Sequence, residues 1–329
     1  MDVPKLKIKK LSIIISVFNE ERSLQSFWKE LKDVLINIKL ECEIIFVNDG
    51  SIDSSQKIIN SILNEEIEFS IKSIQLTRSY GHEAAMIAGI DNSNGDLLIC
   101  IDSDLQHPPN KIPDMIKKNL EGYDIVIMML SKRFGKSFVK NIFSKIFYNL
   151  LNIISEFNFQ LNGTDFFLIS RRVCDVLKTN YRERNRFLRG YIQIMGFPKT
   201  SLSFDVNKRM EGKSKYSFRK LFELAITALT SFSKTPLYFG LIIGLIFMIF
   251  SIGGAIYTFI NYIVDKSVPS GYTTIVILLC FCFSVLYIIV GISAIYIGSI
   301  YQESQKRPVY IVKQIKSSKS PGNNEFLNY

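Results

Sequence analysis

The stretch LLICIDSDLQHPP, residues 97–109, decides how the chain is read. Five apolar residues, Leu97–Ile101, run straight into Asp102-Ser103-Asp104. An apolar run this short reads as a buried strand. Two carboxylates one residue apart at its end are oxygen donors of the kind that hard cations such as Mg²⁺ or Mn²⁺ take, often together with a substrate's phosphates. Asp-x-Asp is also a common solvated turn, so the pair gains its meaning from its surroundings.

Those surroundings repeat the pattern. Strand signals at Leu11–Val17, Glu43–Val47, Ile71–Leu76 and Asp124–Met129 flank Leu97–Ile101, and helical patterns at Glu20–Ile38, Ser54–Leu63, Glu83–Asp91 and Lys111–Leu120 lie between them. Alternating strands and helices predict βαβ units and a parallel α/β sheet. Ligands of such sheets sit beyond the carboxyl ends of the strands. Polar groups gather there: Asn19-Glu20-Glu21 after the first strand, and Asn48-Asp49-Gly50-Ser51 with Asp53 after the second. Asp49 can accept hydrogen bonds from a nucleobase, and Gly50 permits a tight turn. Ser51 or Asp53 also reads as a helix N-cap. His82 reads first as a cap or packing residue at a helix start, with a ligand role as the alternative, and Trp28 as a helix residue packed on the sheet. Arg182, Arg184, Arg186 and Arg189 form either a solvated face or a membrane-surface contact.

Past residue 130 the character changes. Residues 138–159 and Phe218–Phe232 carry aromatic and aliphatic side chains at helical spacing with basic flanks, as core-facing helices or as helices lying in a membrane interface. Leu237–Val264 is 28 residues without a charge, and Ser267–Gln302 is 36 more. A bilayer core takes about 20 apolar residues as helix, which excludes a simple soluble enzyme, a disordered chain and a disulfide scaffold. Lys234 before the first stretch and Lys306, Arg307, Lys313, Lys316 and Lys319 after the second place both ends on the cytoplasmic side. The apolar run Leu11–Phe18 is too short for a span and has no cleavage site. The net charge is +10. Without zinc-finger spacing or an aromatic RNA-binding signature, that charge points to lipid and phosphate and not to nucleic acid. Cys42, Cys100, Cys174, Cys280 and Cys282 form no C-x-x-C and read as buried thiols in a reducing compartment. The tail after Lys306 reads as polar and basic, and after Ser317 as disordered.

Six motifs occur in order: SVFNEE (16–21), VNDGSIDSS (47–55), GHEAAMIAGIDNSNGD (81–96), IDSDLQHPP (101–109), ERNRFLRG (183–190) and KRMEGKSKYS (208–217). With the two apolar stretches and the ending GISAIYIGSIYQESQKRPVYIV (291–312), the chain resembles family-2 GT-A glycosyltransferases of the polyprenyl-phosphate type, such as bactoprenol glucosyltransferases and dolichol-phosphate mannose synthases. The resemblance covers about residues 9–313. It implies a GT-A Rossmann-like mixed sheet with helices on both faces, amphipathic interface helices and a C-terminal two-helix transmembrane hairpin. The implied organisation is a cytoplasmic catalytic domain over 1–216, an interface helix over 217–235, transmembrane helices at about 237–262 and 273–300, and a basic cytoplasmic tail over 303–329.

The implied reaction moves a sugar, with inversion, from a nucleotide-diphosphate sugar to a polyprenyl (undecaprenyl) phosphate at the cytoplasmic membrane. The implied partners are those two substrates and the bilayer, and self-association into a homo-oligomer stays open. Asn19 and Glu20 would line the nucleotide pocket and Asp49 would read the base. Asp102 and Asp104 would meet the metal–diphosphate, with Gln106 as a further Mg²⁺ or Mn²⁺ ligand. Arg209 and Lys215 would clamp the donor phosphates, while Asp165 and Arg133 would stand at the reacting centre. Departures fall at Met129 and Leu130, where relatives carry a second Arg before Arg133, at Thr164–Phe167, where G-D-F-R becomes T-D-F-F, and at His107, where many relatives have Asp. The rival readings are a membrane-bound transferase to another glycan and a non-catalytic membrane scaffold. The scaffold predicts loss of the carboxylates, yet Asp49, Asp102, Asp104 and Asp165 all remain.

Overall fold

The structure, a computed structural model, describes residues 8–131, 163–183, 188–205 and 271–318, with scattered helical positions between 242 and 260. Arg133, Arg209, Lys215, the 138–159 and 217–235 segments, Arg184 and Arg186 lie outside the described residues. The chain divides into two compact units. One contains every described strand and six helices, and the other contains a single long described helix.

The elements of the first unit run β1 (Lys10–Val17), α1 (Leu24–Leu35), β2 (Glu41–Asn48), α2 (Ser55–Glu65), β3 (Ser70–Leu76), α3 (His82–Asp91), β4 (Leu97–Asp102), α4 (Ile112–Leu120), β5 (Ile125–Leu130), β6 (Gly163–Ser170), α5 (Arg171–Asn180), α6 (Leu188–Ile194), β7 (Lys199–Phe204) and, late in the chain, β8 (Val312–Ser317). The strands form one sheet in the order β7-β5-β6-β4-β1-β2-β3-β8. The β4-β1-β2-β3 block is parallel, as the βαβ pattern requires. β6 runs antiparallel to both β4 and β5, and β8 antiparallel to β3, so the sheet is mixed.

The central strand β1 is apolar on both faces because both are covered. Ile13 and Ile15 join a core with Leu24, Phe27, Trp28 and Leu31 of α1, whose spacing of three and four residues lines one helix face. Trp28 packs edge-on against Phe46 and Phe69, the packing expected of it. On the opposite face Ile14 meets α3, where Ala84, Ala85, Ala88 and Gly89 let the helix lie close to the sheet. A Cβ on Gly89 would come within 2.2 Å of Ile14 Cγ2.

A polar knot ties the strands at the other end. Buried Glu43 accepts Ser12 Oγ–H at 2.9 Å, Asn94 N–H at 3.1 Å and Lys72 Nζ–H at 3.3 Å. Burial alone would raise its pKa, but these three partners outweigh it and hold Glu43 below the usual range.

Two stretches differ from expectation. The helix expected from Glu20 starts at Leu24, because Asn19 adopts a left-handed φ of 55° and residues 20–23 turn back. The polar stretch after Lys306, read as a tail, returns to the sheet as β8, with Thr77 N–H bonded to the Ile311 carbonyl and Ser318 N–H to that of Ile71. Its period-two pattern is short and diluted by lysines. In the second unit, α7 (Tyr272–Ser304) is apolar around its circumference, with Leu278, Phe281, Leu286, Ile288, Val290 and Ile297 all exposed.

Candidate active site

The carboxyl ends of β1, β2 and β4 carry the groups the sequence singled out, and β6 adds one more. At the end of β1, Asn19 and Glu20 join the turn after β2. Asn19 N–H donates to Ser51 Oγ at 3.0 Å, Ile52 N–H to Asn19 Oδ1 at 3.0 Å, and Glu20 N–H to Ser55 Oγ at 2.9 Å. Asp53 accepts the amides of Ser55 and Glu21, while the N-cap position itself is Ser54. The turn roles foreseen for Ser51 and Asp53 are therefore filled from different places than expected.

Asp49, almost fully buried, holds the loop between β3 and α3. Its carboxylate accepts Tyr80 N–H at 2.7 Å, Ser79 Oγ–H at 2.7 Å and Gly81 N–H at 3.0 Å. Gly50, at φ 67°, allows the approach, since a Cβ there would lie 2.4 Å from the Arg78 carbonyl carbon. A carboxylate offers about four acceptor sites, so most of Asp49 is spent on this loop, and the loop delivers His82.

His82 opens α3 and stands among charges. Its Nε2 lies 3.3 Å from Asp102 Oδ1 and 3.5 Å from Asp165 Oδ2. Its Nδ1 is 3.0 Å from Ser16 Oγ. Ser16 spends its one hydroxyl proton on Asp102 Oδ1 at 2.9 Å, so Nδ1 is the donor to Ser16. Burial pulls the His82 pKa down, but Asp102 and then Asp165 outweigh it and hold it raised to about 10. His82 is thus an imidazolium at neutral pH. Arg189, on α6, places Nε 3.0 Å from Asp165 Oδ1. Against the upward pull of burial, Arg189 and His82 hold the Asp165 carboxyl well below the usual range.

Asp104 and Gln106 pair with each other. The Gln106 backbone N–H donates to Asp104 Oδ1 at 3.1 Å and its side-chain amide to Oδ2 at 2.9 Å. His107 is buried, stacked on Phe166 at 5.5 Å and edge-on to Phe204 at 6.0 Å. This aromatic setting suits an imidazole where relatives carry an acid.

The residues fit a hard divalent cation. Asp102 and Asp104 offer carboxylate oxygens at one strand end. An oxygen of Asp102 and one of Asp165 also lie within 4.8 Å of each other, the spacing of atoms around a small ion.

Sequence reasoning missed two members of this cluster. His82 follows a strand end just as the acids do, which was the available signal. Arg189 was grouped with basic surface residues but turns inward. Arg182, read the same way, makes a bidentate pair with Asp91, which also accepts the Tyr310 hydroxyl.

The chain is similar to known proteins over most of its length. The family model described as Glycosyl transferase family 2 matches residues 12–178, from β1 through α5. An uncharacterised glycosyltransferase, YkcC, of Bacillus subtilis (strain 168) is 35% identical over 307 residues, covering 92% of this chain and 93% of that one. Bactoprenol glucosyl transferase of Shigella phage SfV is 35% identical over 307 residues, covering 93% and 99%. Among solved structures, glucosyl-3-phosphoglycerate synthase from Mycobacterium tuberculosis in complex with Mn²⁺, UDP-glucose and phosphoglyceric acid is a loose likeness, with a TM-score of 0.46 and 17% identity over 68% of this chain and 79% of that one. The matched family spans the strands whose ends build the cluster, and the first relative extends the likeness over nearly the whole chain, so this protein is a glycosyltransferase that belongs to glycosyl transferase family 2.

Proposed function

We propose that the enzyme transfers a sugar, with inversion, from a nucleotide-diphosphate sugar to a polyprenyl phosphate at the cytoplasmic face of a membrane. The observation that carries this reading is the union in one chain of the strand-end carboxylate cluster with α7, a long apolar helix most of whose described side chains are exposed. A helix apolar all round belongs in a protein core or a bilayer, and an 18-residue window within Phe281–Ser304 of α7 has a mean hydropathy of 2.2 with none of it buried. The name of the phage relative supports a bactoprenol acceptor and glucose as the sugar.

β8 supports a hairpin. It pairs with β3 in the sheet of the catalytic unit, so residues before 205 and after 312 share one side of any membrane. The chain between them then crosses an even number of times. If α7 crosses once, the uncharged 237–264 stretch, helical at its described positions, supplies the return. The organisation we assign is therefore a catalytic domain over 1–216, an interface helix over 217–235, two spans within 236–302, and a C-terminal segment over 303–329 that rejoins the sheet.

In the reaction, an acceptor phosphate oxygen bonds to the anomeric carbon as the bond from that carbon to the donor diphosphate breaks, its electron pair leaving with the diphosphate. A phosphate monoester is largely ionised at neutral pH, so it needs positioning more than deprotonation. Asp165 faces the positive charge that grows on the sugar carbon. Asn19 and Glu20 line the nucleotide pocket, and Asp49 shapes it through the 79–81 loop. Arg209 and Lys215 take the donor phosphates, and Arg133 stands near the reacting centre. Asp102 and Asp104, with Gln106, would hold Mg²⁺ or Mn²⁺, whose chemistry when bound is to neutralise charge on the leaving diphosphate. His82 balances Asp102 and Asp165.

Incubating membranes that contain the enzyme with polyprenyl phosphate and a panel of radiolabelled nucleotide sugars tests this. A chloroform-soluble labelled product is expected with one donor. Label that enters only a water-soluble glycan would move the acceptor to another class.

A further inference from the structure

We propose that Arg189 is a positioning residue for Asp165 and that Glu83 sets the place of Arg189. The inference deepens the reading above and rests on it for the role of Asp165. The Arg189 guanidinium grips the start of β6 twice. Nη1–H donates to the Gly163 carbonyl at 3.2 Å, and Nε lies 3.0 Å from Asp165 Oδ1. Residues two apart share one face of a strand. A planar guanidinium reaches both acceptors at once, which an ammonium cannot do. The Gly163 contact is a hydrogen bond and the Asp165 contact an ion pair, which keeps Oδ1 beside Arg189 while Oδ2 stays on the side of His82 and Asp102.

Arg189 is itself placed by α6. The first amide of that helix, Leu188 N–H, donates to Glu83 Oε2 at 3.1 Å. Glu83 follows His82 in the first turn of α3. Two consecutive residues of α3 therefore reach Asp165 by separate routes, His82 directly and Glu83 through α6 and Arg189. Burial, then the nearby Asp165 charge, push the Glu83 pKa up to about 7. Glu83 Oε2 serves here as the acceptor of the Leu188 amide, and a glutamine side chain supplies the same acceptor.

The assay uses full-length wild type and variants in native membranes. It measures nucleotide release from the nucleotide-diphosphate sugar, which reports cleavage at the sugar carbon whatever the acceptor. Wild-type release without labelled lipid would move the acceptor while leaving this comparison intact. A misplaced reacting group costs on the order of 100-fold. Arg189→Ala is accordingly expected to lose about that much in kcat, with donor KM held within about threefold. Methylguanidinium chloride is expected to restore part of the rate. Arg189→Lys, which keeps the charge without the fork, should fall between. Glu83→Ala should follow Arg189→Ala, whereas Glu83→Gln should keep most of the rate. A raised donor KM with unchanged kcat in Arg189→Ala would make Arg189 a donor-binding group and overturn the proposal. So would Glu83→Gln as slow as Glu83→Ala, or no gain from methylguanidinium.

Discussion

A carboxyl whose pKa is raised on folding holds its proton more tightly in the folded chain than in the unfolded one. Glu83 is such a group, pushed from 4.5 to about 7 by burial and by Asp165. The native state then binds more protons than the unfolded state between those values. Its favourable share of stability is complete below about pH 4.5 and is lost as pH rises through 7. Glu83→Gln removes that loss, so it should match wild type near pH 4.5 and exceed it by roughly 3 kcal/mol at pH 8. Unfolding curves at the two pH values check this, and an equal difference at both would refute it. The acids at the end of β4 make a second prediction. Chelation should abolish transfer, and Mg²⁺ or Mn²⁺ should restore it. Asp104→Asn should lose about 100-fold or more, and Asp53→Asn far less, since backbone amides occupy the Asp53 carboxylate. Steady turnover in a rigorously chelated sample would remove the cation from the reaction. Those acids were legible because an apolar strand announces its own end. His82 and Arg189 were not, because a lone histidine at a helix start usually caps, and because their partners on β4 and β6 lie far away along the chain.

Among the elements, α3 does the most to shape the site, and its closeness to the sheet can be measured. Gly89→Ala places a methyl 2.2 Å from Ile14 Cγ2, in a region where Ile14 is fully buried. Overpacking of this kind costs about 1–3 kcal/mol. The melting temperature should fall, and activity should fall with it, because α3 carries His82 at its other end. A variant as stable as wild type would mean that the helix shifts freely and does not position His82. The parallel strands β1 to β4 and the helices between them could be read from periodicity, each within a few residues. β6, β7 and β8 could not. β6 was noticed only for Asp165, β7 is half-exposed Lys199–Phe204, and β8 is a lysine-bearing edge. All three take their places through partners remote in sequence, which no local pattern encodes.

For the whole molecule, the uncharged stretches and basic flanks pointed to a membrane, while the return of the chain to its own sheet was invisible until the structure showed it. The parity that β8 imposes gives a direct topological expectation. In a background without the native cysteines, an impermeant thiol reagent added to intact cells should label Ser270→Cys, two residues before α7 in the sequence. It should not reach Ser318→Cys beside β3. Labelling of the second position from outside would separate the tail from the catalytic sheet and break the argument for two crossings.

β8 also sets an order of events in time. The chain is made from its amino end, so β3 is complete long before its neighbour exists. The β3 edge stays open while the apolar stretches are synthesised and is closed only when residues 312–317 leave the ribosome. An open edge strand invites pairing with other chains. Synthesis of the apolar stretches therefore precedes closure of the catalytic sheet. A chain interrupted after α7 would carry its active-site acids and still expose a sticky edge. The sheet is whole only once its last strand has been made.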